Sequence, residues 1–307
     1  VYASENERIT NSVFNFMLPQ DKSAPKTLGD IFLSAKNFQR FDTISANTRK
    51  FGLFGDPGQI IAVPQYDLGI DSINGISVEE FKDTISAFER IRLKGSVSDG
   101  NGLKSNFSGR IFITVYDKPS RLSTLVNDQG NSNKFNFEQY RNIIFKGQAS
   151  VTNGKWSTEF IIPADINYTV GKGKILLYAH SQNEDAIGSY TQLNIGGEPK
   201  NIINDNRPPI MELFINDQNF KNGGLTNAQP ILIANIADDT GIKVTGTSIG
   251  HDLTAKLEGV IEGSYILNDF FTGALNDPTS GTVRFQLPTL PPGRYKVTVK
   301  AWDLGNN

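Results

Sequence analysis

The spacing of apolar residues separates a short N-terminal part from a long remainder. Apolar side chains recur near helical spacing over residues 5–18 and again over 27–41, which predicts two amphipathic helices. Thr27, with Asp30 three residues later, is a weak capping-box pattern for the second helix. The stretch RKFGLFGDPGQIIAVPQY at 49–66 then holds two apolar runs separated by Gly-Asp-Pro-Gly. These runs predict two short buried strands joined by a tight turn, so residues 1–66 have a mixed α/β character.

From Asp67 onward, short runs alternate apolar and polar residues with the period of two that half-buried strands show. Two turn signals, DGNG at 99–102 and NGK at 153–155, lie between such runs. A stretch rich in Asn, Ser, Asp and Gly at 122–136 predicts a long exposed loop. The predicted strands are 91–98, 110–116, 143–151, 156–162, 174–179 and 190–195. Short strands at this spacing predict an antiparallel β-sandwich over residues 67–198.

A linker rich in Pro, Asn and Gly, GGEPKNIINDNRPP at 196–209, precedes a second group of strands. These strands are predicted at 210–215, 231–236, 253–257, 283–287 and 294–302. An immunoglobulin-like sandwich has about seven strands, so we expect its missing edge to follow Asn307. The predicted fold is therefore mainly β: two consecutive immunoglobulin-like antiparallel β-sandwiches, at 67–198 and 199–307, preceded by a short α/β remnant at 1–66.

Composition removes several classes of function. The 30 basic and 32 acidic residues give a formal net charge of −2 without long charged blocks, which is not the charge distribution of a nucleic-acid-binding protein. The chain has no cysteine, so disulfides, thiolate metal sites and a cysteine nucleophile are excluded. With only His180 and His251, a three-histidine zinc site is excluded as well.

The residues capable of chemistry form no catalytic pattern. His180 ends a predicted strand shortly before Asp185, and His251 precedes Asp252 in IGHDL, but neither histidine has an identifiable nucleophile. We therefore favour structural histidines, and we assign no catalytic, cofactor-binding or metal-ligating residue and no cofactor. The Gly-Asp-Pro-Gly motif lacks the lysine and the following helix of a phosphate loop, so we interpret it as a structural turn.

Calcium and carbohydrate remain open as ligands. Asp205 lies in the linker and Asp238 follows a strand, and oxygen-rich loops of this kind suit Ca²⁺. The further carboxylates that calcium needs are not evident, so Asx-turns are favoured at both positions. Aromatic residues on strands are mostly core residues, but exposed ones stack on sugars. The candidates for such stacking are Trp156, Tyr178, Tyr190, Phe270 and Phe271.

Several motifs in order resemble the gingipain-like peptidases of family C25, and most closely the sortase of the type IX secretion system. They run from VYASENERITNSVFNF at 1–16, TLGDIFLSAKN at 27–37 and NTRKFGLFGDPGQIIAVP at 47–64 to INGISVEEF at 73–81 and FKGQASVTNGKWSTEFIIPADINYTVGKGKILLYA at 145–179. They continue with DDTGI at 238–242, LNDFF at 267–271 and PPGRYKVTVKAWDLGNN at 291–307. In the family, the first three belong to the end of a caspase-like catalytic domain and the others to β-sandwiches behind it.

The resemblance implies a non-catalytic role for this chain. The family's catalytic histidine and cysteine precede the segment matched here, and neither His180 nor His251 falls in a matching position. The parent protein would be a cysteine endopeptidase on the outer face of a Gram-negative outer membrane. Its implied partners are the rest of its own catalytic domain, an outer-membrane β-barrel and secreted cargo with C-terminal sorting domains. Two other interpretations stay open: an adhesive or carbohydrate-binding array of sandwiches, and a self-contained enzyme, which the absent nucleophile disfavours.

Overall fold

The computed structural model of the protein describes residues 3–18, 26–38, 48–125, 133–200, 207–244 and 251–305. The contacts of the chain group it into two compact units, Val1–Pro64 and Gln65–Asn307. The second unit contains two β-modules, which we call the barrel (residues 65–200) and the sandwich (residues 207–305). The sequence-based domain limits at 66 and 198 stay a prediction.

The first unit contains the two predicted helices, α1 (Ala3–Met17) and α2 (Leu28–Phe38), followed by a 3₁₀ turn at Thr48–Lys50. The helices pack through Ile9 of α1 and through Ile31 and Ala35 of α2, all of which are buried. At the start of α2, the Thr27 hydroxyl accepts a hydrogen bond from the Asp30 backbone N–H at 3.1 Å and donates one to the Asp30 carboxylate at 2.8 Å. The predicted cap is therefore present.

The Gly-Asp-Pro-Gly motif forms a turn that caps α2 and does not join two strands. The Asp56 carbonyl accepts a hydrogen bond from Gln59 N–H at 3.2 Å, and the Asp56 carboxylate accepts one from Gly58 N–H at 2.8 Å. The carbonyls of Pro57 and Gln59 in turn accept the N–H groups of Gly29 and Leu28, each at 2.8 Å. These are N–H groups that a helix leaves without internal partners. The turn thus stabilises the first turn of α2.

The prediction of two buried strands in this stretch was wrong. Residues 51–64 form no strand beyond a single bridge between Thr27 and Ile60, and Phe54 and Ile60 are 98% and 53% exposed. An apolar run becomes a buried strand only when a neighbouring strand takes its backbone hydrogen bonds. Here, Leu28 and Gly29 of the helix take those of Gln59 and Pro57 instead.

The barrel contains thirteen strands in the described residues. They are β1 (Tyr66–Ile73), β2 (Ile76–Ser77), β3 (Thr84–Ile85), β4 (Arg90–Ser98), β5 (Gly109–Tyr116), β6 (Ser120–Ser123), β7 (Asn136–Gln139), β8 (Ile143–Thr152), β9 (Lys155–Ile161), β10 (Gly171–Lys172), β11 (Lys174–His180), β12 (Asp185–Tyr190) and β13 (Asn194–Ile195). The main sheet has the order β12-β11-β5-β8-β9-β4-β1-β2. Its inward positions alternate along each strand, as with Ile91, Leu93 and Val97 of β4, and fill one core.

The main sheet closes on itself, because β1 also pairs in parallel with β12 through Tyr66↔Ala186 and Asp67↔Ile187. Seven strands therefore form a ring, with β2 added outside it. The Tyr66 hydroxyl donates to Glu184 at 2.9 Å, and Lys104 forms an ion pair with the same carboxylate at 3.2 Å. The hydrogen bonds with Tyr66 and then with Glu184 raise the pKa of Lys104, against the effect of burial. These polar contacts hold the closing strands together.

The sandwich consists of two sheets, with the orders β14-β15-β19-β18 and β17-β16-β20. Buried residues of both sheets, such as Leu232 and Val283 of the first and Leu257 and Val299 of the second, meet in one core. Two sheets that share a core form a β-sandwich. The strands are β14 (Ile210–Ile215), β15 (Ile231–Ala237), β16 (Thr254–Glu258), β17 (Gly263–Ile266), β18 (Phe271–Ala274), β19 (Asp277–Gln286) and β20 (Lys296–Lys300).

The mainly β fold with several sheets is confirmed, and several details differ from the prediction. In the barrel, the closing strand β1 and the short strands β2, β3, β6, β7 and β10 were not recognised. The sheet of the first module closes into a ring. The strand expected at 190–195 lies instead at Asp185–Tyr190, where it pairs with β11. Two strands of the sandwich, β17 and β18, lie inside the chain and were not recognised. The ends of the loop expected at 122–136 pair as the hairpin β6–β7, and residues 126–132 lie outside the described part.

We expect Gly188→Ala to destabilise the protein by about 1–3 kcal/mol, the usual cost of overpacking. A Cβ atom at Gly188 would collide with the backbone carbonyl oxygen of Leu68 on the closing strand β1. Urea unfolding measures the effect. Gly69→Ala is the matched control on β1, since the nearest atom to its Cβ is 4.0 Å away. Equal stabilities of the two variants would contradict the close approach of β1 and β12.

Candidate functional site

The junction between barrel and sandwich is built on strand β8. The turn between β18 and β19 lies along β8, with a parallel bridge between Gln148 and Leu275. The Asn276 backbone N–H donates to the Gln148 carbonyl at 3.0 Å, and the buried Gln148 side chain donates to the Gly273 carbonyl at 2.9 Å. The Asn276 side chain accepts from Ser150 N–H at 2.7 Å and donates to the Ser150 hydroxyl at 2.8 Å. Four hydrogen bonds, one of them between main-chain groups, thus join the two modules, and we call this set the ladder.

The glycine at position 273 favours this approach. A Cβ atom at Gly273 would lie 3.0 Å from the Lys146 carbonyl oxygen and 3.2 Å from the Gly147 Cα atom. Asn276 occupies the turn with a φ of 60°, a conformation that asparagine tolerates better than most residues. Small side chains and this turn conformation let the main chains of the two modules come within hydrogen-bonding distance.

An ion pair provides a second connection between the modules. Lys243 of the sandwich is fully buried, and its ammonium group lies 2.7 Å from the carboxylate of Asp165 in the barrel. Nearby, the Ala164 N–H of the barrel donates to the Leu304 carbonyl of the sandwich at 3.1 Å. A buried charge is tolerated only when it is paired, so this contact favours one relative position of the two modules.

A cleft of about 690 Å³ opens beside the junction, where β8 and β9 diverge. These strands pair only through Val151↔Trp156 and Thr152↔Lys155. Three outward side chains of β4, at successive alternate positions, line the cleft on the barrel side: Arg90, Arg92 and Lys94. We call these three residues the basic row.

A single carboxylate on the adjacent strand faces the basic row. Arg90 donates to Glu159 at 2.9 Å and Arg92 donates to it at 2.8 Å. Hydrogen bonds from Arg90 and then Arg92 hold the pKa of Glu159 below its usual range. Lys146 also lines the cleft and donates to the Asp269 carbonyl at 3.1 Å. The sandwich contributes a second acidic residue, Asp239, and Thr240 beside it. Four cations therefore face two carboxylates.

The two histidines lie apart and have different surroundings. His180, at the end of β11, is exposed, and its ring stacks on Phe112 at 5.7 Å. It is the cross-strand neighbour of Asp185, whose carboxylate instead accepts the Gln65 N–H at 3.2 Å. His251 packs edge-to-face on Trp302 at 4.5 Å, while Asp252 accepts a hydrogen bond from Asn268 at 3.1 Å. The structure thus pairs neither imidazole with the carboxylate that the sequence offered.

The two positions considered for calcium differ in what the structure describes. Asp205 lies outside the described residues. One carboxylate oxygen of Asp238 accepts hydrogen bonds from Thr240 N–H at 2.8 Å, the Thr240 hydroxyl at 2.7 Å and Gly241 N–H at 3.1 Å. This is the geometry of an Asx-turn. Within the described ranges, no three side chains of His, Cys, Asp or Glu lie together as a metal site would require.

The aromatic residues considered for sugar stacking separate by burial. Trp156 and Phe271 are 4% exposed and belong to the cores. Tyr190 is half-buried, and burial raises its pKa. Tyr178 and Phe270 are 40% and 45% exposed. Tyr178 lies beside Phe112 at 6.3 Å on the outer face of the barrel, so this part of the surface keeps an exposed aromatic group.

The similarities of this chain to known proteins lie among solved structures. No family model and no curated protein matches the chain. Among solved structures, the crystal structure of dimeric latent PorU from Porphyromonas gingivalis is 31% identical over 94% of this chain, with a TM-score of 0.48. The chain spans 28% of the length of that protein. The sporulation control protein Spo0M from Bacillus subtilis is 11% identical, covers 73% of this chain and 91% of its own, and has a TM-score of 0.27.

The two similarities have unequal weight. With TM-scores of 0.48 and 0.27, neither superposition establishes a shared fold, and the sequence identity with Spo0M is only 11%. The identity with PorU extends along nearly the whole chain. The chain is therefore a mainly β protein whose sequence is similar to a part of PorU. Among the described residues, no helix is long and apolar enough to cross a membrane.

We expect Asn276→Gly to lower the free energy of unfolding by about 0.5–1.5 kcal/mol, the usual net contribution of an intramolecular hydrogen bond. Glycine keeps the left-handed turn conformation and removes only the two side-chain bonds to Ser150. Asn153→Gly is the control, because Asn153 also has a positive φ, 51°, and its side chain makes no hydrogen bond in the described part of the chain. Urea unfolding of both variants tests this, and equal losses of stability would contradict the role of Asn276 at the junction.

Proposed function

We propose that this chain is a non-catalytic C-terminal portion of a PorU-like cell-surface sortase of the type IX secretion system. In this proposal, residues 1–66 are the end of a caspase-like catalytic domain of family C25. The two β-modules, of which the second is immunoglobulin-like, support and position that domain.

The observation that carries the proposal is sequence identity in a chain without a nucleophile. The identity with PorU is 31% over 94% of the chain, and the motifs that resemble the gingipain-like family occur in order along it. The 307 residues contain no cysteine, and a cysteine peptidase cannot act without its thiolate. A chain of this kind would contribute to the activity of its parent protein through structure.

The contacts at the junction support the structural part of the proposal. Two modules can hold a third domain in a fixed place only if they are themselves rigidly connected. The barrel and the sandwich therefore need a rigid junction. The ladder at Gln148 and Asn276 and the buried pair of Lys243 with Asp165 provide such a connection. The location implied by the proposal is the outer face of a Gram-negative outer membrane. The partners implied are the rest of the catalytic domain, an outer-membrane β-barrel and cargo with C-terminal sorting domains.

A second candidate function is carbohydrate binding by an adhesive surface module. The exposed Tyr178 beside Phe112 favours it, since exposed aromatic rings stack on sugars. A glycan array with the purified chain separates the two candidates. Specific binding that Tyr178→Ala abolishes would favour adhesion, whereas the sortase proposal expects no Tyr178-dependent binding.

We expect the purified chain to leave a peptide with a C-terminal sorting domain uncleaved, since it has no thiol. We expect the product of the complete gene to cleave the same peptide through an upstream histidine and cysteine. Mass spectrometry of the peptide measures both outcomes. Cleavage by the chain itself, or the absence of a caspase-like domain upstream in the gene, would contradict the proposal.

A further inference from the structure

The strongest feature that the proposed function leaves unused is the cleft between barrel and sandwich. Its volume of about 690 Å³ is that of a site for a small molecule, about 300–1,000 Å³. Its walls come from both modules, with β4, β8 and β9 on one side and the segment around Thr240 on the other. It therefore exists only because the modules are joined.

The charge of the cleft indicates the chemistry of a ligand. Alternate side chains of a strand point to the same face and are about 6.6 Å apart, so the basic row presents three cations along roughly 13 Å. Lys146 adds a fourth cation, and the opposing carboxylates are Glu159 and Asp239. Four positive charges against two negative charges leave an excess of two. Arg90 and Arg92 have side chains that are 65% and 61% exposed, so their remaining N–H groups are accessible.

An anionic ligand must compete with Glu159 for the hydrogen bonds of the two arginines. The Glu159 carboxylate already accepts hydrogen bonds from both arginines. A ligand whose anionic groups are carboxylates offers each arginine the same chemistry as Glu159 and gains no advantage over it. A phosphate dianion brings more charge and three acceptor oxygens, and guanidinium groups bind it through paired hydrogen bonds. Lys94, which has no ion-pair partner among the described residues, remains available for a second phosphate.

We propose that this cleft is a binding site for a small phosphorylated ligand, in which the basic row holds the phosphate groups and Glu159 acts as an internal competitor. In the absence of ligand, Glu159 neutralises Arg90 and Arg92. When the ligand binds, these arginines redirect N–H groups to phosphate, and Lys94 completes the site. Asp239 and Thr240 of the sandwich lie on the opposite wall, so an occupied site contacts both modules.

Isothermal titration of the whole chain with pyrophosphate at constant ionic strength tests the proposal, with succinate as the carboxylate comparison. We expect saturable binding of pyrophosphate and much weaker binding of succinate. Arg92→Gln should weaken pyrophosphate binding about tenfold, since it removes one charge-assisted contact. Glu159→Gln should strengthen it about three- to tenfold, because the competing carboxylate is gone.

Glu258→Gln is the matched control. Glu258 also holds two cations, Lys256 at 2.7 Å and Lys296 at 3.9 Å, but it lies on β16 of the sandwich and does not line the cleft. Glu258→Gln changes the net charge by the same amount as Glu159→Gln, and we expect it to leave the affinity for pyrophosphate unchanged. Equal effects of the two glutamate variants would show attraction to net charge and overturn the proposal. The absence of saturable binding to the wild-type chain and to Glu159→Gln, or tighter binding of succinate or of an acidic peptide, would also overturn it.

Discussion

The arrangement of the β-modules depends on one close approach between main chains. Gly273 and Asn276 of the sandwich contact Gly147 and Gln148 of the barrel so closely that a Cβ atom at Gly273 would lie only 3.0 Å from the Lys146 carbonyl oxygen. Main-chain contact of this kind is directional, so it fixes a rotation as well as a distance. The buried pair of Lys243 and Asp165 adds a second point of contact, and the two contacts together restrict the relative orientation of the modules. The cleft with its basic row follows from that orientation.

Closure of the barrel also depends on a close approach between backbone atoms at a glycine. Gly188 admits the Leu68 carbonyl, and the short parallel pairing of β1 with β12 completes the ring. Where β1 and β12 pair, neither strand presents a free edge to another chain. In both places a glycine opposite a carbonyl replaces a side-chain contact. At the junction this backbone approach adds to apolar packing, since Ile143 of the barrel packs against the core of the sandwich.

Local patterns in the sequence predicted much of this fold and little of the site. Alternation placed β4, β5, β8, β9 and β11 within about one residue of their observed limits, because a half-buried strand records its inner face in its own sequence. The pairing of Tyr66 with Ala186 could not be predicted, since it joins residues far apart in sequence with no local signature. The apolar runs at 49–66 misled for a related reason: Phe54 and Ile60 are apolar but exposed. Whether an apolar run is buried depends on its partners.

The basic row was visible in the sequence, although it was not recognised. Arg90, Arg92 and Lys94 alternate with the core residues Ile91 and Leu93, and that alternation places three cations on one face of a strand. Their opposition to Glu159 required the register of β4 with β9, in which Arg92 pairs with Glu159. Gln148 and Asn276 gave no signal at all, because a buried amide and a turn asparagine acquire their roles only from the neighbouring module.

The most direct test of the account is whether barrel and sandwich tumble as one body. Backbone ¹⁵N relaxation of the whole chain in solution gives a rotational correlation time for the strands of each module. The contacts at Gln148, Asn276 and Lys243 predict the same correlation time for β4 and β5 of the barrel as for β15 and β19 of the sandwich. A shorter correlation time for the sandwich strands would mean that the modules move independently, and it would contradict the rigid junction.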